Sequence, residues 1–451
     1  MWTHEFHRPP PEFINAENKF LFDEVDWEGF LRRKYRRFLT DTLPGITGLV
    51  FTFAETNFEI YKDAAVVSRH SPAERLRMLM EVLVRIGEEH GVRIAVRDFV
   101  YRLTEVKAMT EAIQGIPGEV AVMSKAVPHD WQPFYPPNPT IGQYGQREQW
   151  VEFDLGFEYE GQQMLPYANL EQIAVWYQAA RAAGVRHFCL RLDRYDGEKG
   201  QSALRTPWGQ LAISAFNAWE RDPATSVETI YENWEKTHFP GAADAIRGAT
   251  LSLQKMLFPK ENWLGNHCMV PTYHYAKSHL VDGNADRLAT WTGKAEDQEI
   301  RENFIHMPGA FRLSLEEEAK EALAIFGRVL PLVEKNLDPS HAAAGDWQKG
   351  FRLLGSYLRI FEAYRKAFFL IREKVENPST AEDGNTIEQA LGEFEITSQE
   401  EAAHWENQYF TGRPFHTTHY RSSYVAKHHH QLLPRDFLKP VLDDLRKVLE
   451  I

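Results

Sequence analysis

The chain has 451 residues, 43% of them hydrophobic and 25% charged, which is a globular composition with room for a large core and more than one domain. Its formal net charge of -13 excludes the broad basic surface that nucleic acid or an anionic membrane requires, while a local cationic pocket stays compatible with it. Two cysteines, Cys189 and Cys268, exclude a disulfide framework and fit a reducing, cytoplasmic setting; no apolar run approaches the roughly 20 residues of a membrane span, and residues 1–20 carry no signal-peptide pattern.

In chain order, β-rich runs at residues 2–6, 46–54, 92–99, 120–126, 150–155 and 187–192 predict six strands. Between several of them lie amphipathic stretches. Residues 72–90 place Leu76, Leu79, Val82, Leu83 and Ile86 on one helical stripe, and residues 169–183 behave alike, with Gly184 where a helix would stop. Strand, helix, strand at this spacing reads as βαβ units with a parallel sheet. No GxGxxG or P-loop supports a nucleotide-binding sheet. The expected fold is therefore α/β, an incomplete (β/α)8 TIM-type barrel over residues 1–204, followed by an all-α region over 205–451 that packs on it. In that region, helices are expected at 206–220, 225–237, 314–336 (opened by a Ser314/Glu317 capping box), 346–376, 385–409 and about 435–449.

Acidic residues follow the predicted strand ends: Glu55, Asp98, Asp130, Glu158, Asp193 and Asp196. In a TIM barrel that rim carries the chemistry, whereas a single acid there more often only caps the next helix. Glycoside cleavage needs a proton for the leaving oxygen and a second carboxylate on the other side of the ring. Glu55, delivered by an apolar strand, suits the acid, and Asp130 and Glu158 offer the remaining carboxylates. Aromatic residues make up 13% of the chain and include twelve Trp, a content that serves a large core or sugar stacking; composition alone favours the core.

Several segments carry a resemblance. KAVPHDWQ at 125–132 and VEFDLGFEYEGQ at 151–162 resemble the K-x-x-P-x-D-[FW]-Q and V-E-F-x-x-x-x-E-Y-x-G-Q stretches of family 67 α-glucuronidases. VRDFVY at 96–101, the ISAFNAW helix at 213–219 and the Trp234–x4–Phe239 pattern follow in the family's order. The resemblance covers roughly residues 1–265. It implies an inverting hydrolase removing terminal (4-O-methyl)glucuronic acid from xylan-derived oligosaccharides, with Glu55 as general acid and Asp130 and Glu158 activating water. It implies no metal or organic cofactor, an oligosaccharide as partner, and dimerisation through the helical C-terminal part.

Supporting residues follow by position. Arg97 and Lys125 are strand-end cations suited either to a uronate carboxylate or to a structural ion pair in the barrel mouth. Trp131 and Tyr159 offer stacking faces or core filling. Glu160 shares a face with Glu158 and competes with it. His4, with Glu5 and His7, borders the same mouth; nothing nearby completes a metal set. His428, His429 and His430 diverge around a helix and read as a solvated cluster.

The chain departs from the family pattern in three ways, one of them a shortened segment between Val100 and Glu119. Its first strand looks like the third of a barrel, so the first two strands and a leading domain are missing, which a fragment of a longer chain explains. Phe53-Ala54-Glu55-Thr56 also replaces the family's D-S-E-G. That difference leaves room for a glycosidase acting on another sugar, a hexosaminide for example, or for a non-catalytic carbohydrate-binding module.

Overall fold

The computed structural model describes residues 1–128, 131, 133–157, 160–161, 163, 165–196, 201–202, 204–261, 295–379, 384–409, 443 and 447. All six expected runs are strands: β1 (Trp2–His4), β2 (Gly48–Thr52), β3 (Arg93–Arg97), β4 (Ala121–Lys125), β5 (Gln149–Asp154) and β6 (His187–Arg191). They form one parallel sheet whose spatial order is chain order. A doubly wound sheet would reverse direction at a switch point, and this one does not. The strands β1 and β6 end the row, and no pairing between them is present among the described residues. The fold is thus mixed α/β, a parallel six-stranded sheet with many helices; the closed barrel is a finer statement that this sheet does not make.

By contacts the chain divides into two compact units that interleave in sequence. One comprises Met1–Asp130, Pro136–Phe153 and Val175–Leu190; the other comprises Trp131–Tyr135, Asp154–Ala174 and Arg191–Ile451.

In the first unit one face of the sheet carries Leu49, Phe51, Ile94, Val96 and Val122, all buried. They share a core with α1 (Trp27–Arg37) and α2 (Pro72–His90). The α2 stripe Leu76, Leu79, Val82, Leu83 and Ile86 is buried as its periodicity predicts, each side chain contributing roughly 1.5–3 kcal/mol. Ser71 opens α2 with a reciprocal cap, its Oγ accepting from the Glu74 N–H at 3.3 Å while the Glu74 carboxylate accepts the Ser71 N–H at 2.8 Å. Gly91, at φ 65°, closes it. Near that end the helix touches β3 at Gly87, where a Cβ would stand 2.4 Å from Ile94 Cγ1 and 2.8 Å from the Val92 carbonyl oxygen. Two α-helices of this unit go beyond the sequence expectation. One is α1, capped by Asp26 and burying Trp27, Leu31 and Tyr35, and the other is α3 (Leu103–Gly115).

Helix α4 (Leu170–Ala182) precedes Gly184, which is left-handed at φ 90° as a stop requires. The second unit contains α5 (Pro207–Arg221), α6 (Val227–Glu235), α7 (Ala242–Leu257), α8 (Ala295–His306), α9 (Gly309–Asn336), α10 (Ala344–Glu376) and α11 (Gly384–Tyr409). Trp208, Trp219 and Trp347 are fully buried here, so these tryptophans serve the core. Helix α9 corrects one expectation. It begins at Gly309 behind Pro308, five residues before Ser314, whose Oγ instead donates to the Phe311 carbonyl at 2.7 Å. Serine inside a helix bonds its own preceding turn, so the capping-box pattern is fortuitous. The expected helix at 435–449 lies outside the described residues except at Asp443 and Lys447, both helical, and His428, His429, His430 and Cys268 lie outside them altogether.

Candidate functional site

Alternation along a strand sorts the polar residues of the first unit onto two faces. In register, His4 stands beside Thr52, Ala95 beside Ala121, Arg97 beside Met123, and Lys125 beside Glu152. Trp2, His4, Thr52, Arg97, Lys125 and Glu152 therefore share the face turned away from the α1–α2 core, and all but Trp2 sit toward the carboxyl ends of their strands. Thr52, Arg97, Lys125 and Glu152 are at most 3% exposed. A buried polar tier at that end is where α/β sheets place their ligands.

Arg97 organises the tier. Its Nη2 donates to Glu152 Oε2 at 2.5 Å, and its Nη1 lies 3.8 Å from Glu55 Oε2. The guanidinium carbon sits 4.6 Å from the Trp2 ring centre and 5.2 Å from that of Phe99, so two aromatic faces flank the cation. Lys125 Nζ lies 4.4 Å from the Phe99 ring centre. Two cations thus approach one ring, and fully buried Glu152 is paired in register with the strand that carries Lys125. Glu152 is the residue that sequence reasoning missed. Its signal was available: in the VEFD run, alternation puts Glu152 on one face, and that face opposes Lys125.

Glu55 projects from the end of β2 with its side chain 49% exposed. Its backbone is left-handed at φ 57°, a conformation that costs a non-glycine residue roughly 1–3 kcal/mol and must be held from outside. The Glu55 N–H donates to Glu59 Oε1 at 3.1 Å, and the Thr56 hydroxyl donates to the Glu5 carbonyl at 2.8 Å. His4 is partly exposed, with Nδ1 3.2 Å from the Ala54 carbonyl oxygen, which places it beside this turn.

Two acids that the sequence put at the barrel mouth lie elsewhere. Asp98 follows Arg97 directly, so it falls on the opposite face, where it accepts from Ser124 Oγ at 2.6 Å and Tyr144 Oη at 2.8 Å. Burial raises its carboxyl above the usual range, against the opposing pull of those hydroxyls, Thr140 and the Arg97 charge. Glu5 turns toward α1, where Tyr35 Oη donates to it and Lys34 Nζ lies 3.1 Å away. Desolvation and the Glu5 charge push the Tyr35 phenol far up. Both acids belong to the packing between sheet and helices.

In the second unit Trp131 is buried, and Glu160 is 3% exposed, its charge adding to the burial that raises the fully buried Tyr167 and Tyr357 phenols. Gln163 there accepts from Thr206 Oγ1 at 2.6 Å, and its carbonyl accepts the Trp208 indole N–H at 3.1 Å. Asp130, Glu158 and Tyr159 lie outside the described residues.

A cavity of about 1050 Å³ also opens in the first unit, but at the amino end of the strands, against Gly48, Val50, Arg93, Ala95, Ala121 and Trp150. The buried charges gather instead at the carboxyl end. Among the described residues no group of three or more His, Cys, Asp and Glu side chains is arranged to hold a metal ion, and no helix is long and apolar enough to cross a membrane.

No family model matches the chain, and no curated protein matches it. Solved structures do, 24 chains in all. Among them is a GH138 enzyme targeting pectin rhamnogalacturonan II, at a TM-score of 0.50 and 10% identity, covering 94% of this chain. This chain spans 65% of the length of that structure. At such identity the likeness is one of fold.

Proposed function

We propose that the chain is the catalytic part of a glycoside hydrolase that inverts configuration and releases a terminal uronic acid, glucuronic acid or its 4-O-methyl ether, from an oligosaccharide. The observation that carries the reading is the buried tier at the strand ends: Arg97 flanked by two rings, paired to Glu152 and turning Nη1 toward half-exposed Glu55, with Lys125 against the same Phe99. A planar guanidinium and an ammonium in a desolvated pocket suit a sugar carboxylate. The motif order from Arg97 to Glu158 supports the same reading, as does fold likeness to a glycan-directed enzyme.

In this mechanism Glu55 gives its proton to the glycosidic oxygen as the bond to the anomeric carbon breaks. Asp130 and Glu158 take a proton from the water that attacks the opposite face of that carbon. Inverting enzymes in general separate acid and base by roughly 6.5–9.5 Å, which leaves room for the water. Within this frame the six strands belong to a (β/α)8-type barrel, residues 1–204 form the catalytic part, and residues 205–451 form the accompanying helical region. His4, Trp131, Tyr159 and Glu160 are its candidate sugar contacts.

The test is hydrolysis of 4-O-methylglucuronic-acid-bearing xylo-oligosaccharides, with the anomeric configuration of the product followed by NMR. Glu158→Gln and Asp130→Asn should abolish turnover; unchanged turnover in both sinks the assignment. A second reading, cleavage of another uronide, is favoured by the altered Phe53-Ala54-Glu55-Thr56 segment and by the pectin-directed neighbour. A panel of pectic and xylan uronides beside neutral nitrophenyl glycosides separates the two. Sugar binding without hydrolysis, insensitive to Glu55→Ala, would instead identify a binding module.

A further inference from the structure

We infer that Glu152 is a positioning residue: it fixes the guanidinium of Arg97 so that its Nη1 edge is presented to an anionic ligand. The inference rests on the proposed function for its substrate class and on geometry for its mechanism.

An arginine side chain has several rotatable torsions, and its plane must be held if its fork is to read a carboxylate. Here the plane is held on three sides. The rings of Trp2 and Phe99 lie 4.6 and 5.2 Å from the guanidinium carbon, and Glu152 Oε2 accepts from Nη2 at 2.5 Å. Glu152 is itself wholly buried and fixed in the middle of β5, so it has no freedom to follow the arginine. Nη1 lies on the side of Glu55, 3.8 Å from its carboxylate and too far for a hydrogen bond. That edge borders the solvent-exposed acid, and a ligand carboxylate would meet it there.

Glu152 also places a negative charge where two cations converge. Arg97 and Lys125 both approach Phe99 in a desolvated space, and Glu152 stands directly opposite Lys125 in register while accepting from Arg97. A plain structural ion pair requires only that charges cancel. This arrangement also aims the arginine, because the acceptor sits on a rigid strand and the rings confine the guanidinium.

The experiment uses the intact chain and two variants. Glu152→Asp keeps the charge but shortens the reach by one methylene, drawing the guanidinium off its seat; Glu152→Gln keeps the length and removes the charge. Calorimetry with D-glucuronate and D-glucose measures binding, and steady-state kinetics on a glucuronide and the matching glucoside measure turnover. With Glu152→Asp, glucuronate binding weakens and KM for the glucuronide rises by about tenfold, the loss of one charge-assisted contact, while kcat changes less than KM and kcat/KM for the glucoside falls by less than that for the glucuronide. Glu152→Gln does the same if it folds, and Glu152→Asp keeps the test decisive if it does not. Combined with Arg97→Ala, Glu152→Asp should add nothing further, because it acts through Arg97.

Unchanged glucuronate affinity in Glu152→Asp, or effects that add to those of Arg97→Ala, overturn the inference even when the wild type hydrolyses glucuronides. If the wild type binds glucuronate without cleaving any glycoside, and Glu152→Asp weakens that binding, the positioning role stands and the hydrolase reading falls. If it neither binds nor cleaves, both fall.

Discussion

At Gly87 helix α2 comes into close contact with strand β3, and replacing it with alanine tests whether that contact is as tight as the structure draws it. Taken as a helix position alone, Gly→Ala should stabilise by about 1 kcal/mol, because alanine loses less backbone entropy. The local geometry opposes this. The new Cβ would lie 2.4 Å from Ile94 Cγ1, 2.7 Å from Ile94 Cδ1 and 2.8 Å from the Val92 carbonyl oxygen. Ile94 is buried and cannot swing clear, and the Val92 N–H is itself bonded to the Gly87 carbonyl at 2.9 Å, so the backbone is pinned as well. Overpacking of this kind costs roughly 1–3 kcal/mol, which offsets the helix gain and leaves a net expectation between no change and destabilisation by about 2 kcal/mol. Gly327 is the control, an exposed position inside α9 where an added Cβ would meet nothing within 4 Å, and Gly327→Ala should stabilise by about 0.5–1 kcal/mol. Urea unfolding gives the global effect. Hydrogen exchange of the β3 amides localises it, which matters because two units need not unfold together. Gly87→Ala behaving like Gly327→Ala, with β3 protection unchanged, would refute the close approach.

Further outcomes follow from the same contacts. Because burial holds the Asp98 carboxyl above its ordinary value, its protonated form is favoured in the folded state. The stability that this contributes is complete below the unfolded value and is lost as pH rises through the raised folded one. Asp98→Asn mimics the neutral form and should flatten that part of the stability–pH curve on the acid side; an unchanged slope contradicts the assignment. Ser71→Ala removes the side-chain half of the α2 capping box and should lower stability by about 1 kcal/mol in urea unfolding, with fraying seen first at residues 72–75.

Much of this fold is legible because strands and helices declare themselves by period. The six β-rich runs are six strands with ends moved by a few residues at most, and the α2 stripe is buried as its spacing requires. What period cannot give is which face of a strand looks where. Asp98 and Glu5 read as mouth acids from their place beside an apolar run, although each adjoins a residue of the opposite face; counting from Arg97 and His4 turns both toward the helices. Glu152 is hidden for the reverse reason: it sits inside a strand where an acid is unexpected, so the face that alternation along VEFD gives it is overlooked until the pairing with β4 sets it beside Lys125. The Ser314 pattern fails because a capping box and a mid-helix serine share the same letters, and Pro308 settles which is present. Of the proposed acids, Glu55 can be described, and its left-handed backbone is a feature no residue type announces.

The chain-order arrangement of the strands also has a consequence for how the protein comes into being. Within the six-stranded sheet each new strand pairs with the one made just before it, so that sheet can grow by accretion at a single edge. Ring closure in each step spans one connection between neighbours, and the entropy of such loops rises slowly with length. Once a ribosome has released Ala121, three paired strands and the α2 cover are already outside it, apolar face sheltered, while Arg97 has no carboxylate from β5 to hold. The charged tier is therefore completed after the core beneath it, its last carboxylate joining a scaffold whose apolar face is already covered.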